Sequence, residues 1–221
     1  RGRACSRGWL SGCPLHPAGS RRPLPPPRDE PDAAPYADLI SPRLFVTVLV
    51  SALAALLLSL LLSEPSHWPV WVAVGTIGVL LAVVDAHTGL LPLRLTWWFG
   101  GLVLAATIAV AALQGNPRVV LVAVLCGAGA GLLFRLLWQI GGGLGFGDVR
   151  LVTVLGVAAG ATSVELAVWS LLLGGVAGVV WGVVTRLRRG ADGPFPYGPA
   201  LVMGPYLALL VNRGLALAGL I

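Results

Sequence analysis

From residue 43 onward the chain alternates long apolar runs with short polar breaks, the runs falling at 44–62, 68–84, 95–113, 119–140, 150–163, 165–185 and 199–219. Most approach the ~20 apolar residues with which a helix crosses the ~30 Å hydrocarbon core of a bilayer. The fifth is the exception. At ~1.5 Å per residue its length gives only ~21 Å, so a short, tilted or re-entrant helix is expected there. The pattern predicts an all-α fold: a polytopic transmembrane helical bundle of six to seven spans. Small residues recur at every fourth place, at Gly127 and Gly131 and again at Gly174, Gly178 and Gly182. That spacing lets helices approach closely where lipid supplies no hydrophobic drive between them.

Residues 1–42 follow a different pattern. They hold 9 of the 17 prolines and no apolar period, a composition that predicts a disordered tail ahead of a membrane domain at 43–221. The tail lacks the apolar core of a signal peptide, so no cleavage is expected in it. Met203 is the only methionine, and the tail is expected to be either a fragment's end or an upstream over-extension of the reading frame.

Composition sharpens this picture. Hydrophobic residues make up 57% of the 221 and charged residues 11%, against roughly a quarter charged in soluble domains. A single water-soluble globule is excluded. All 15 basic residues are arginine and the net charge is +6. Such a balance can indicate a nucleic-acid partner, but here the arginines stand in the tail and at the ends of the runs, so none is expected. Threading the breaks alternately, with the tail in the cytoplasm, puts Arg43, Arg94, Arg135, Arg150, Arg186, Arg188 and Arg189 inside and only Arg118 and Arg213 outside. The positive-inside rule predicts that split, and Trp97, Trp98 and Trp138 near run ends match an interfacial belt. Cys5, Cys13 and Cys126 form neither a disulfide framework nor a Cys-x-x-Cys pair for zinc. No metal or cofactor is expected.

Five acids follow the tail: Glu64, Asp85, Asp148, Glu165 and Asp192. Glu64 and Glu165 fall in outer breaks and Asp192 in the loop after Arg189. Asp85 instead follows seventeen uncharged residues with no polar cushion, and a carboxylate so near hydrocarbon is a functional candidate. Asp148 closes the glycine-rich stretch 141–147 and opens the short fifth run. Both land at the same membrane edge. Two acids brought together in a poorly hydrated place cannot both ionise cheaply, so they share one proton. The ionised member can then draw a proton from water while the other hydrogen-bonds a peptide carbonyl, as in aspartic proteases. Glycines beside Asp148 would let an extended peptide lie close. The Gly-x-Gly-x-Gly pattern is no dinucleotide loop, because no βαβ unit surrounds it.

At these residues the sequence resembles the type IV prepilin peptidases, membrane aspartic proteases of the Gly-x-Gly-Asp kind. The first motif stands as Asp85-Ala86-His87-Thr88-Gly89-Leu90-Leu91-Pro92-Leu93-Arg94-Leu95-Thr96, and the second as Gly145-Phe146-Gly147-Asp148-Val149-Arg150-Leu151. The segment Pro194-Phe195-Pro196-Tyr197-Gly198-Pro199-Ala200 is similar to the Pro-Phe-Gly-Pro that precedes the family's last helix. The resemblance spans about 44–221. It implies catalytic Asp85 and Asp148, with Gly145, Gly147, Arg150 and Pro92 supporting the site or the substrate. It further implies a multi-pass protein of the inner (plasma) membrane with its site facing the cytoplasm. The expected substrates are prepilin-like membrane precursors, and oligomeric state is left open. Leu93 stands where members often carry an acid, Arg150 where they carry lysine, and Val84 where presenilin-like relatives carry tyrosine. The paired Cys-x-x-Cys motifs of long members do not occur in this sequence, so it resembles a short, peptidase-only form without the zinc/methyltransferase domain, and whether any methyl transfer exists is left open.

Blander readings stand beside these. Asp148 precedes an apolar run as a helix N-cap would. His87 is either a third titrating group or a solvated loop histidine, and Thr96 and Arg94 suit a plain interface. The same aspartates would also serve a proton- or cation-coupled transporter, or stand inert in a structural subunit of a secretion machine.

Overall fold

The computed structural model describes residues 41–141, 145–189 and 196–219. Apart from Ser41 and Pro42, the expected tail lies outside them, as do Asp192, Pro194 and Phe195. The described residues are helical with no strand, arranged as seven helices: α1 Pro42–Leu62, α2 Pro65–Thr88, α3 Leu93–Leu113, α4 Arg118–Gly141, α5 Phe146–Gly160, α6 Val164–Arg189 and α7 Gly198–Leu217. Each coincides with one of the apolar runs to within a few residues. All but α5 are long and apolar enough to cross a membrane. The chain is a polytopic membrane bundle.

Local chemistry sets the ends. The Ser41 hydroxyl accepts from the Leu44 amide at 3.2 Å and Pro42 occupies the first turn of α1, where a missing N–H costs nothing. α2 opens with a 3-10 turn, Pro65–His67, and carries a π turn at Val74–Gly78. It stops at Gly89, whose φ of 66° is the left-handed cap that glycine adopts without strain. The Gly89 amide donates to the Asp85 carbonyl at 2.7 Å. Pro92 then fixes the start of α3, and its carbonyl accepts from both the amide and the hydroxyl of Thr96. Thr96 is therefore a buried part of the α3 start.

Gly127, Gly131, Gly174 and Gly178 do the packing expected of the four-residue spacing. Gly127 and Gly131 on α4 receive Val157 and Thr153 of α5, while Gly156 and Gly160 of α5 close on Ala130 and Cys126. Gly174 faces Ala200 and Gly204 of α7, and Gly178 is notched for the Tyr197 ring. Side chains at these points would hold the axes apart.

α5 has 15 residues, about 22 Å of helix, and is sheathed by α3, α4, α6 and α7. The short fifth run is thus an internal element. It needs no lipid-spanning length, because its neighbours provide its surroundings. Leucines and valines on α1, α4 and α6 point outward, as expected where the solvent is lipid. Trp97 and Trp98 are 71% and 75% exposed beside the start of α3, in keeping with an interfacial belt.

The helices alternate in direction, so α2, α4 and α6 finish at the end of the bundle where α3, α5 and α7 begin. At the opposite end His67 Nε2 lies 2.9 Å from Gln114 Nε2, tying the start of α2 to the close of α3.

Candidate active site

Asp85 sits in the last turn of α2 and Asp148 in the first turn of α5. Both are buried, at 3% and 7% exposure. The segments that carry them touch, Gly147 next to Asp148 lying against Leu91 in the turn after Asp85. Residues 63 positions apart in the chain are thus gathered at one end of the bundle, at the edge of the apolar core.

Each carboxylate is held by a backbone amide. Asp148 stands three residues after the N-cap Gly145; the Gly145 amide donates to Asp148 Oδ2 at 3.1 Å, and the Asp148 amide donates back to the Gly145 carbonyl at 3.1 Å. This corrects the simple capping alternative: the N-cap position belongs to Gly145, and Asp148 at the third helical position supplies one half of a capping box, glycine having no side chain for the other half. Its other oxygen takes no part in that box. Asp85 has no comparable help from its own helix, since a C-terminal turn presents carbonyls and the negative end of the helix dipole. The Gly198 amide, at the start of α7, donates to Asp85 Oδ2 at 2.7 Å.

Gly198 was not among the residues expected to form the site, although it lies within the quoted closing segment. A Cβ on it would stand 2.6 Å from Asp85 Oδ2 and 3.0 Å from both Cβ and Cγ of the same residue, so α7 can start there only as glycine. The signal in the sequence was a glycine between Tyr197 and Pro199, a helix-starting turn. What it touches, 113 residues back, no local pattern announces.

The remaining expected residues divide. Gly147 lies against Leu91, where an added Cβ would come within 3.0 Å of the leucine Cβ; this contact joins the Asp148 segment to the turn after Asp85. Pro92, next to Leu91, starts α3. Arg150 points elsewhere, its guanidinium 4.6 Å from the centroid of the Phe146 ring. His87 is exposed and its Nδ1 lies 2.9 Å from the Val83 carbonyl of its own helix. Among the described residues no three histidine, cysteine, aspartate or glutamate side chains come together, and the chemistry on view is that of two carboxylates.

The type IV leader peptidase family matches residues 71–183, a stretch that contains both aspartates. The chain belongs to the type IV leader peptidase family. Two relatives bear the name prepilin leader peptidase/N-methyltransferase. The one from Bacillus subtilis (strain 168) is 32% identical over 135 residues, covering 60% of this chain and 51% of the relative. The one from Pseudomonas aeruginosa is 37% identical over 70 residues, covering 31% of this chain and 23% of the relative. The chain thus spans about half the length of the first and about a quarter of the second. No solved structure matches it. Within this leader peptidase family member, the matched region covers α2 from Trp71 through most of α6, whereas Gly198 and α7 lie beyond it.

Proposed function

We propose that the chain is a membrane aspartic endopeptidase that removes the leader of prepilin-like precursors at the cytoplasmic face of the plasma membrane, with Asp85 and Asp148 as its catalytic pair. Residues 43–221 form the peptidase domain and residues 1–42 an appended tail. The observation that supports this reading is that two buried carboxylates stand at the same end of a bundle belonging to this family.

The chemistry follows from the pair. A water held between the carboxylates gives a proton to the ionised member as its oxygen attacks the scissile carbonyl carbon. The protonated member hydrogen-bonds the carbonyl oxygen and stabilises the tetrahedral intermediate. Collapse of that intermediate breaks the C–N bond, and the leaving amine takes up a proton from the pair. Gly198 and Gly145 hold the outer oxygens, so the carboxylates need not reorganise during the reaction. Gly147, Leu91 and Pro92 keep the two segments in register, and Arg150 supports the first turns of α5 through Phe146.

Two features support the orientation and substrate class. Seven arginines of the domain (Arg43, Arg94, Arg135, Arg150, Arg186, Arg188 and Arg189) stand on the segments at the aspartate end, and Arg118 and Arg213 at the other, an asymmetry typical of a cytoplasmic face. A site at that edge suits a precursor whose basic leader stays in the cytoplasm and whose following helix lies in the membrane.

Co-expression with a prepilin-like precursor tests the proposal. Asp85→Asn and Asp148→Asn should each abolish the mobility shift of the trimmed product, a loss of at least ~10²–10⁴-fold in rate. Full cleavage by either variant would overturn the dyad. A transporter using the same acids would leave cleavage untouched and lose ion-coupled flux instead.

A further inference from the structure

Where the end of α4 meets the start of α5, two arginines and two aromatic rings form a cluster on the outside of the bundle that takes no part in the proton transfers proposed above. Arg150 Cζ lies 4.6 Å from the Phe146 ring centroid, and Arg135 Cζ lies 5.6 Å from the same ring and 5.8 Å from that of Trp138. The two rings meet edge to face at 5.4 Å. Phe146 and Trp138 are each 37% exposed. The rings supply no carboxylate or carbonyl acceptor to the guanidinium N–H donors, five on each arginine. The nearby carboxylate of Asp148 is buried and held by the Gly145 amide, so it does not neutralise this outward-facing pair.

Toward the middle of α4 from Arg135, Leu132 and Leu133 are exposed. The candidate span of α4 ends at Ile140, five residues beyond Arg135, a rise that the long arginine side chain can cover by snorkelling to the polar boundary while Leu132 and Leu133 stay at acyl depth. A free anion would use only the first of these surfaces, and a nucleic acid would meet lipid at the second. We infer that Arg135, Trp138, Phe146 and Arg150 bind the headgroup phosphate of an anionic phospholipid whose acyl chains lie along the outer face of α4. Basic pockets between helices at a membrane edge recognise such headgroups, each arginine contributing roughly a fivefold preference. Bound there, the lipid braces the first turn of α5, from which Asp148 projects.

The test reads lipid association without reference to peptidase activity. The full chain is reconstituted into phosphatidylcholine vesicles doped with spin-labelled phosphatidylglycerol or spin-labelled phosphatidylcholine, and the motionally restricted fraction is measured by electron paramagnetic resonance. The wild type should retain phosphatidylglycerol in excess over phosphatidylcholine. Arg135→Gln should lower that excess about fivefold, and Arg135→Gln with Arg150→Gln should abolish it. Phe146→Leu keeps both charges but removes the ring that aligns them, and should lower it as well. Arg118→Gln, at the opposite end of α4, should leave it unchanged. An excess that survives the double substitution overturns the inference. So does one indifferent to Phe146→Leu, which would indicate diffuse attraction, and so does displacement of the labelled lipid by inorganic phosphate, which would indicate a small-anion site.

Discussion

The two aspartates reach the same place by opposite routes. Asp148 is placed by its own neighbourhood: it lies in the first turn of α5, its partner Gly145 is three residues away, and the helix dipole there favours a carboxylate. Asp85 is placed by the tertiary fold: it lies in a last turn, where its own helix offers it no donor, and its partner comes from the start of α7. One position is a property of a short peptide and the other of an assembled bundle. Perturbations of the Asp85 arrangement should therefore be severe and reach into α7, while those of the Asp148 arrangement should be mild and local.

Gly198→Ala makes the strongest case. The new Cβ would press on three atoms of a buried carboxylate, and neither α7 nor Asp85 has a flexible end to yield. A displacement approaching 1 Å at a reacting group costs on the order of a hundredfold in rate, and the amide bond to a charged group that would be stretched contributes ~1.5–3 kcal/mol. The expectation is a fall in kcat of about a hundredfold with KM for the precursor nearly unchanged, measured on purified protein whose helical circular dichroism matches the wild type. A variant that cleaves at the normal rate would show that Asp85 does not depend on α7.

Gly147→Ala should act at an intermediate level, because it strains the contact that joins the two settings. The added Cβ meets Leu91 at its Cβ and Cδ1, at 3.0 and 3.1 Å. Only the second of these atoms can swing away. A loss of about tenfold in cleavage rate is expected, and Leu91→Ala, which removes the Cδ1 clash, should recover part of it in the double variant. Strict additivity of the two changes would mean that the contact does not couple the segments.

The same contrast explains how much could be read from the chain. The helices follow from apolar run length, and the close approaches at Gly127, Gly131, Gly174 and Gly178 from four-residue glycine spacing, since both are local signals; which helix packs on which was not legible from them. The two aspartates stood out because charge next to hydrocarbon is costly. The π turn at Val74–Gly78 left no such mark. It is bound up with tertiary fits, Gly75 beside Leu56 and the Tyr206 hydroxyl and Gly78 beside Phe99, and such turns often occur near functional sites. Gly198 escaped for a related reason: a glycine before a proline reads as a turn, and its contact with Asp85 exists only after α7 has packed. Arg150, expected to support the site or the substrate, has its guanidinium 4.6 Å from the Phe146 ring centroid, a contact that its place two residues after Asp148 does not announce, since on a helix residues two apart do not face each other.

The mildest expected effect belongs to Gly145→Ala, and its smallness is the point. Gly145 has φ −72° and ψ 145°, an extended conformation that any residue adopts, so the exchange carries no backbone strain. Its Cβ would stand 3.3 Å from Asp148 Oδ2, close enough to shift the carboxylate by only a few tenths of an ångström. The amide that donates to Asp148 is retained. Alanine is a poorer N-cap than glycine, at a cost of several tenths of a kcal/mol or more to the start of α5. Cleavage should therefore fall by no more than about threefold, against the hundredfold expected at Gly198, when both variants are assayed on one precursor. A collapse of activity in Gly145→Ala would mean that the substrate backbone itself runs against Gly145, and that the local setting of Asp148 is as exacting as the distant one of Asp85.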